Sequence, residues 1–293
     1  MAELDAVMAR FADMQAGWGP DTTPAQMSAD VEALYIGFAE PSTARVEPVV
    51  VEGLASEWIT PDGADTRAVL HLHGGGYSTG TPLGYRGLAT AIGEAAEAHV
   101  LTLGYRLVPD YVYPAQIDDA VKGYNWLLAK GFGPHQIAVT GDSAGGGLAV
   151  SLLLKLRELG DPMPACAVLL SPWLDLEAAG ESYTTNAARD PIATPDMVAA
   201  MGGAYGGDAS DPLASPLVAD LSGLPPLQIL VGGCEIFESD ARTLQSNAVR
   251  DGVDVALNFE PDMVHVWPLF ASVLSKGKTA LADIGRFIAA KAG

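Results

Sequence analysis

The sequence predicts an α/β fold, in which helices cover both faces of a mostly parallel sheet. Short apolar runs alternate with helix-like or loop segments, which is typical of parallel strands joined by crossover helices. Hydrophobic residues make up 49% of the chain and charged residues 18%, the profile of a folded globular protein. Six strand-like runs follow one another: AVLHLH, HVLTLGY, QIAVTG, ACAVLLS, LQILVGG and VDVALNFE.

Two helical segments precede the first predicted strand. The segment at about 2–16 has apolar residues at helical spacing, which predicts an amphipathic helix. The segment at about 24–39 follows a capping sequence, with Thr22 or Thr23 as the N-cap and Pro24 at the first helical position.

The rest of the chain divides around one long insertion. Two extended runs separated by Gly53 predict a hairpin at a sheet edge, and apolar spacing predicts a helix between 114 and 130. The stretch at about 175–217 interrupts the alternation, and connections of that length are usually lids or binding loops. We therefore expect an N-terminal helical cap segment at 1–45 and a main domain at 46–293 that carries this cap insertion.

Charge and cysteine usage exclude several classes of protein. Thirty-six acidic and sixteen basic residues give a formal charge of −20, which repels nucleic acid and anionic lipid surfaces. The N-terminus lacks the basic and apolar pattern of a secretory leader, and the longest apolar runs are too short to span a bilayer. Cys166 and Cys234 lie in apolar stretches, so we expect no disulfide framework. A cytoplasmic protein without stable membrane association fits these features.

The stretch Gly141-Asp142-Ser143-Ala144-Gly145 is a candidate nucleophile turn. It follows an apolar run and opens a helix-like one, and a strand, a Gly-x-Ser-x-Gly turn and a helix together raise a serine hydroxyl above a sheet edge. The alternative is that the serine merely caps the helix through its side chain. The glycine spacing matches neither a P-loop nor a dinucleotide fingerprint.

Three glycines after the run LHLH suggest a second part of the same site. A serine nucleophile creates an oxyanion on the attacked acyl group, and backbone N–H donors can stabilise that charge only where the backbone approaches closely. We expect the N–H groups of Gly75, Gly76 and Ala144 to form the oxyanion hole. Gly74 and the ring of His73 would shape the loop.

Three motifs in this order resemble one known family. The stretches HGGGY, YRLVPDYVYPAQIDD and GDSAGGG are similar to those of hormone-sensitive-lipase-like carboxylesterases, and the similarity extends over about 70–265. The resemblance implies an α/β-hydrolase fold whose helical cap comes from the N-terminus and from the insertion after the strand near 165–171. Val108 and Asp110 depart from the usual residues of the second motif, but neither touches the chemistry.

The base should come late in the chain, because the order in α/β hydrolases is serine, acid, histidine. Only His265 follows the sixth strand-like run, and we predict that it is the base. Four other histidines lie in or beside earlier strands and are read as structural: His71, His73, His99 and His135.

The acid should lie between serine and histidine, where a strand ends. LQILVGGCEIFESDAR supplies Glu235, Glu238 and Asp240, and the position of the family's acid corresponds to Glu235. The extra methylene of glutamate is tolerable, because the acid only orients the imidazole and stabilises its charged form. Asp240 is the rival, with a surface or capping charge as its simpler role.

The resemblance implies a serine carboxylesterase for short- to medium-chain acyl esters, with no metal or organic cofactor. Lactones and acetylated compounds are alternative substrates at the same site. Tyr77, Phe38 and Met201 are candidates for the wall of the substrate pocket, with core packing as the alternative for each.

Two rival functions and one assembly remain open at this level. A non-catalytic small-molecule-binding protein on the same fold would lack the histidine, and retention of Ser143, Glu235 and His265 argues against it. A peptidase or amidase would use the same three residues. The alternating apolar pattern of VDVALNFE predicts an exposed sheet edge, through which two chains would pair as a homodimer.

Overall fold

The computed structural model describes residues 2–19 and 21–293. These residues form an eight-stranded sheet with the order β1-β2-β4-β3-β5-β6-β7-β8. The first two strands form the predicted antiparallel hairpin, β2 runs antiparallel to β4, and the other neighbours are parallel. The strands are β1 (Arg45–Val51), β2 (Leu54–Thr60), β3 (Arg67–Leu72), β4 (Ala98–Thr102), β5 (Ile137–Asp142), β6 (Cys166–Leu170), β7 (Leu227–Gly232) and β8 (Val255–Glu260).

Helices lie between most of the parallel strands, as the alternation predicted. The predicted helix at 24–39 ends at Ile36, and the one predicted between 114 and 130 is observed at Ala115–Ala129. The helices are α1 (Ala2–Ala16), α2 (Pro24–Ile36), α3 (Pro82–Ala96), α4 (Ala115–Ala129), α5 (Ala144–Leu159), α6 (Ser182–Thr185), α7 (Pro195–Tyr205), α8 (Glu238–Arg250) and α9 (Ser275–Lys291). The prediction of an α/β-hydrolase fold is confirmed.

The two N-terminal helices pack on the main body of the protein. The hydroxyl of Thr23 accepts a hydrogen bond from the backbone N–H of Gln26, so Thr23 is the N-cap of α2. The apolar face of α1 buries Val7 and Phe11, and the Phe11 ring meets the ring of Phe270 edge-on. Strand β1 begins at Arg45, after a connection at 37–44 that follows α2, and the division of the chain into a cap segment at 1–45 and a main domain at 46–293 stays a prediction.

The insertion lies between β6 and β7 and carries α6 and α7. It begins where β6 reaches the carboxyl edge of the sheet, the edge at which β5 meets α5. Loops at this edge are where open α/β sheets bind ligands. In the part of the chain that the structure describes, no helix has the length and apolar character needed to cross a membrane.

Strand β8 forms one edge of the sheet. The guanidinium group of Arg242, on α8, lies 4.3 Å from the centre of the Phe259 ring and covers part of this strand. Pairing of two chains through β8 stays a prediction.

Candidate active site

Ser143 occupies a sharp turn between β5 and α5. Its φ of 52° and ψ of −123° lie in a region that non-glycine residues seldom adopt. The side chain is partly exposed, whereas the residues on either side of it are buried. It makes no capping hydrogen bond to α5, so the structure contradicts the helix-cap alternative. The sequence Gly-Asp-Ser-Ala-Gly therefore forms a nucleophile elbow.

The two glycines of the elbow are required by close backbone contacts. A Cβ atom on Gly141 would collide with the carbonyl oxygen of Gly145. A Cβ atom on Gly145 would collide with the carbonyl oxygens of Leu72 and His73, at the end of β3. The elbow and the oxyanion loop thus pack against each other without side chains between them.

The oxyanion loop follows β3 and is anchored to the elbow. The backbone N–H of Gly74 donates to Oδ1 of Asp142 at 3.0 Å. Gly75 and Gly76 have φ values of 107° and 61°, and within the described residues their N–H groups meet no acceptor in the protein. Ala144, the first residue of α5, adds an N–H at the helix N-terminus, where negative charge is favoured. This arrangement is suited to binding an oxyanion.

His73 shapes this loop as predicted. Its Nδ1 donates to the carbonyl oxygen of Gly74 at 2.7 Å, and its ring stacks on Tyr105 with the centroids 4.3 Å apart. The hydroxyl of Tyr105 donates in turn to the carbonyl oxygen of His73 at 2.7 Å. Burial lowers the pKa of His73 to about 4, so the ring is neutral at physiological pH.

His265 and Glu235 meet at the carboxyl edge of the sheet. Nδ1 of His265 lies 3.0 Å from Oε2 of Glu235, in the geometry of a base and the acid that orients it. Glu235 is fully buried in the turn after β7, and His265 is 7% exposed in the loop after β8. The structure therefore brings together the predicted base and the predicted acid.

Ser171 links these two residues, and the sequence reasoning missed it. Its hydroxyl donates to Oε1 of Glu235 at 2.7 Å and accepts the backbone N–H of Val266 at 2.9 Å. The N–H of Gly232 donates to the same Oε1 at 2.5 Å. Ser171 follows β6 with a φ of 48°, in the same position relative to its strand as Ser143 relative to β5. That position directly after a buried run was the available signal.

The backbone on either side of Ser171 also bonds to the backbone of Ser143. The N–H of Ser143 donates to the carbonyl oxygen of Leu170 at 2.9 Å, and the N–H of Trp173 donates to the carbonyl oxygen of Ser143 at 3.0 Å. Val266, the neighbour of His265, is bonded to Ser171. The stretch 170–173 therefore contacts both the segment that carries Ser143 and the segment that carries His265.

Burial and charge act on His265 in opposite directions. Burial disfavours the charged imidazole, but the hydrogen bond and charge of Glu235, with the charges of Asp190 and Asp142, raise the pKa of His265 above its usual value. Burial raises the pKa of Glu235, while His265, Gly232 and Ser171 oppose that rise. The pair is thus built to stabilise an imidazolium that forms during a reaction.

Asp142 precedes the serine and lies beneath the oxyanion loop. Burial raises its pKa to about 7, against the opposing effects of the His265 charge and the Gly74 N–H. Nε2 of His71 lies 3.6 Å from Oδ1 of Asp142.

The side chains of His71 and His99 have structural surroundings, whereas that of His135 is exposed. Nδ1 of His71 bonds to the hydroxyl of Thr140 at 2.9 Å, and burial lowers its pKa to about 3. The ring of His99 stacks on Trp58, with the centroids 5.1 Å apart. The carbonyl oxygen of His135 accepts the N–H of the C-terminal residue.

Asp240 is not the surface charge that its position at a helix start suggested. It is fully buried, and its Oδ2 accepts the N–H groups of Leu174 and Asp175 and the hydroxyl of Tyr183. These contacts hold the beginning of the insertion against α8. Burial raises the pKa of Asp240 to about 7. The carboxylate of Asp240 therefore bonds to the insertion, whereas that of Glu235 bonds to His265.

The three pocket candidates lie in different surroundings. Tyr77 is 2% exposed and stacks on Tyr205 with the centroids 4.0 Å apart. Phe38 is 1% exposed and packs on Phe270, at 4.9 Å between centroids. Met201, on α7, is partly exposed, and its side chain occupies the space that a Cβ on Gly76 would enter. Core packing thus describes Phe38 best, whereas Met201 lies directly on the oxyanion loop.

Comparison with known proteins places this geometry in a class. A family profile described as the alpha/beta hydrolase fold matches residues 69–269. An acetyl-hydrolase of Streptomyces hygroscopicus is 43% identical over 247 residues, which cover 84% of this chain and 83% of that protein. An esterase of Acinetobacter venetianus is 32% identical over 253 residues, covering 85% and 84%.

A solved structure extends the likeness to the whole fold. The crystal structure of an esterase from the bacterial hormone-sensitive lipase family is 43% identical, with a TM-score of 0.95 and coverage of 100% of this chain and 99% of that one. The fold and site define an α/β hydrolase that cleaves carboxylic esters. Within that class, the chain belongs to the hormone-sensitive-lipase-like carboxylesterases.

Proposed function

We propose that the protein is a serine carboxylesterase that hydrolyses short- to medium-chain acyl esters through Ser143, His265 and Glu235. The observation that carries the proposal is the bond of 3.0 Å between Nδ1 of His265 and Oε2 of Glu235, at the sheet edge where the Ser143 elbow rises. Because Nδ1 is held by the acid, Nε2 of His265 is left to take the serine proton.

The reaction would follow from these positions. Oγ of Ser143 attacks the acyl carbon while its proton passes to Nε2 of His265, and the N–H groups of Gly75, Gly76 and Ala144 stabilise the oxyanion. Collapse of this intermediate breaks the bond to the alcohol, which leaves with the proton from His265. Water then attacks the acyl-enzyme while His265 accepts its proton, and the bond between the acyl carbon and Oγ breaks as His265 returns that proton to Oγ of Ser143, which releases the carboxylic acid.

The surroundings of the oxyanion loop favour a short acyl group. Met201 fills the space beside Gly76, and Tyr77, the next residue of the loop, stacks on Tyr205 at the end of α7. The 43% identity to a protein named acetyl-hydrolase makes acetyl esters the first substrates to test. The alternative substrates for the same residues are lactones, in which the alcohol stays joined to the acyl group after the ester bond is cleaved.

The test compares p-nitrophenyl acetate, butyrate, octanoate and laurate with the wild type and Ser143→Ala. Ser246→Ala, an exposed serine on α8, is the matched control. We expect activity in the wild type and the control, loss of activity in Ser143→Ala by about 10³-fold or more, and lower rates with the longest chain. Equal rates of Ser143→Ala and the wild type would refute the assignment of Ser143 as the nucleophile.

The same assay separates the rival functions. A well-folded wild type that binds esters without turnover would indicate a binding protein, and faster cleavage of a matched anilide than of the ester would indicate an amidase.

Met201→Ala is expected to raise the ratio of octanoate to acetate turnover by about tenfold, since one methylene changes discrimination by roughly 1–3 kcal/mol. An unchanged ratio would remove Met201 from the pocket wall.

A further inference from the structure

The insertion contacts the turn that carries the catalytic acid, and its polar side chains make this contact. Ser182, the first residue of α6, donates through Oγ to the carbonyl oxygen of Ile236 at 2.5 Å. Oγ of Ser182 also accepts the backbone N–H of Ser239 at 2.9 Å. Ser182 is 5% exposed, so these bonds are shielded from water. The insertion is therefore joined to the acid turn as well as to the start of α8.

Two further residues of the insertion hold one peptide group of that turn. Nδ2 of Asn186 donates to the carbonyl oxygen of Glu235 at 2.8 Å, and Oδ2 of Asp190 accepts the N–H of Ile236 at 2.9 Å. These two acceptor and donor groups belong to the single peptide bond between Glu235 and Ile236. Since both of its edges are fixed, the peptide plane cannot rotate without breaking a buried hydrogen bond.

Asp190 is itself held rigidly. Its Oδ1 accepts the N–H groups of Ile192 and Ala193, each at 2.9 Å, which leaves Oδ2 directed at Ile236. Asn186 and Asp190 are 5% and 7% exposed. Buried side chains with all polar atoms engaged are well suited to fix the orientation of a neighbour.

We propose that Asn186 and Asp190 are positioning residues for the catalytic acid, which they hold through the Glu235–Ile236 peptide group. The inference rests on the proposed triad and adds residues of the insertion to it. The orientation of the Glu235 carboxylate depends on this peptide plane, because the side chain branches from the Cα atom at its edge. The insertion thus helps to set the bond between Glu235 and His265, in addition to covering the substrate.

Asp190 also differs from Asn186 in charge, which gives the two residues separable effects. The charges of three carboxylates raise the pKa of His265: Glu235 after β7, which bonds to the ring, Asp142 at the end of β5, and Asp190 from the insertion. Each favours the imidazolium, so each moves the acid limb of the activity profile to higher pH. Asn186 is neutral and has no such effect.

The experiment compares kcat, KM and pH profiles of p-nitrophenyl acetate hydrolysis for the wild type, Asp190→Asn and Asn186→Ala. We expect both variants to lower kcat about tenfold with little change in KM, because an interaction that orients the acid acts on the reaction step. Only Asp190→Asn should move the acid limb of kcat/KM, by roughly half a unit toward lower pH. A merely structural role would leave that limb in place.

The matched control is Asp211→Asn. Asp211 is another aspartate of the insertion that accepts a backbone N–H, that of Leu213, and it also accepts the hydroxyl of Tyr113. Its contacts are with residues outside the acid turn, so wild-type kcat and an unmoved acid limb are expected. The same loss of kcat in Asp211→Asn would attribute the effect to the insertion in general and overturn the proposal.

Other outcomes also decide the matter. The proposal would be overturned if the acid limb of Asp190→Asn coincided with that of the wild type. If Asp190→Asn fails to fold, Asn186→Ala decides, and a wild-type kcat in that variant would overturn the proposal. In either case an active wild type and an inactive Ser143→Ala leave the proposed function standing. A wild type without esterase activity would refute the proposed function itself, and this inference with it.

Discussion

The oxyanion loop at 73–80 and the acid turn at 232–239 lie at the same edge of the sheet, and in the proposed reaction they act together, but they are held by different parts of the chain. Bonds within its own backbone fix part of the oxyanion loop, where the N–H groups of Ser78 and Thr79 donate to the carbonyl oxygen of Gly75, and the side chains of Asp142 and Tyr105 hold its first residues. Side chains from distant segments fix the acid turn, among them Ser171 after β6 and Asn186 in the insertion.

Each region nevertheless uses a buried aspartate in the same way. Asp142 accepts the N–H of Gly74 and anchors the oxyanion loop to the elbow. Asp240 accepts the N–H groups of Leu174 and Asp175 and anchors the insertion beside the acid turn. Burial raises the pKa of both carboxyls to about 7. The comparison teaches that side chains distant in sequence hold both regions, but that a short motif marks only the oxyanion side, because its backbone approaches the elbow too closely for any residue but glycine.

The largest effect should come from the acid itself. Glu235→Gln keeps the shape of the side chain but removes the charge that stabilises the imidazolium, so we expect kcat to fall about 10³- to 10⁴-fold. Asp240→Asn, the matched change on the other buried carboxyl, should lower kcat less than about tenfold, because its contacts are to the insertion. Steady-state kinetics with p-nitrophenyl acetate measure both. A larger loss in Asp240→Asn would exchange the roles of the two residues.

A backbone change on the oxyanion side should have the next largest effect. Gly145→Ala places a Cβ against the carbonyl oxygens of Leu72 and His73, so the elbow and the loop must move apart. We expect kcat/KM to fall about 100-fold, since displacement of a reacting group by about 1 Å has this effect. The melting temperature should also fall.

The control for that change is Gly203→Ala in α7, where a Cβ would meet open space. It should leave kcat unchanged and stabilise the protein by about 0.4–1 kcal/mol. If Gly145→Ala retains wild-type kcat/KM, the idea that backbone contact fixes the oxyanion side is wrong.

Ser171→Ala tests the acid side in the same manner. The change removes one hydrogen bond to the Glu235 carboxylate and one from the Val266 N–H. Alanine keeps the Cβ atom of serine, so the conformational freedom of the backbone at residue 171 changes little. We expect kcat/KM to fall about tenfold, in keeping with the loss of a hydrogen bond to a charged group. Ser246→Ala serves again as the exposed control, and equal activity of the two variants would remove Ser171 from the machinery.

The smallest effect concerns the pH dependence of stability. The folded state holds a proton on Asp240 up to about pH 7, whereas the ordinary pKa is 3.8. The folded state therefore binds more protons between these values, and this contribution to the free energy of unfolding is present below pH 3.8 and lost as the pH rises through 7.

Asp240→Asn should make that decline shallower between pH 4 and 7, relative to the exposed control Asp13→Asn. Urea unfolding at a series of pH values measures the difference. Parallel curves for the wild type and Asp240→Asn would show that the buried carboxyl does not titrate in this range.

The elements and the two glycine-rich turns could be predicted from the sequence because their patterns are local. Apolar runs located the strands, helical spacing located α1, α2 and α4 to within a few residues, and the glycines around Ser143 and in 73–76 marked the places where backbone approaches backbone. The order serine, acid, histidine pointed to His265, and the resemblance to the family pointed to Glu235; the structure joins the two at 3.0 Å.

The sequence alone thus predicts the fold and the glycine-rich turns at Ser143 and after β3, since each shows as a pattern of residues that are neighbours in the chain. The folded chain was needed to show that Ser171 and Asn186 bond to Glu235, that Asp190 bonds to Ile236, and that Asp240 is buried against the insertion and does not lie at the surface. Those contacts join segments up to 66 residues apart, and no local pattern specifies which side chains the folded sheet brings to one edge.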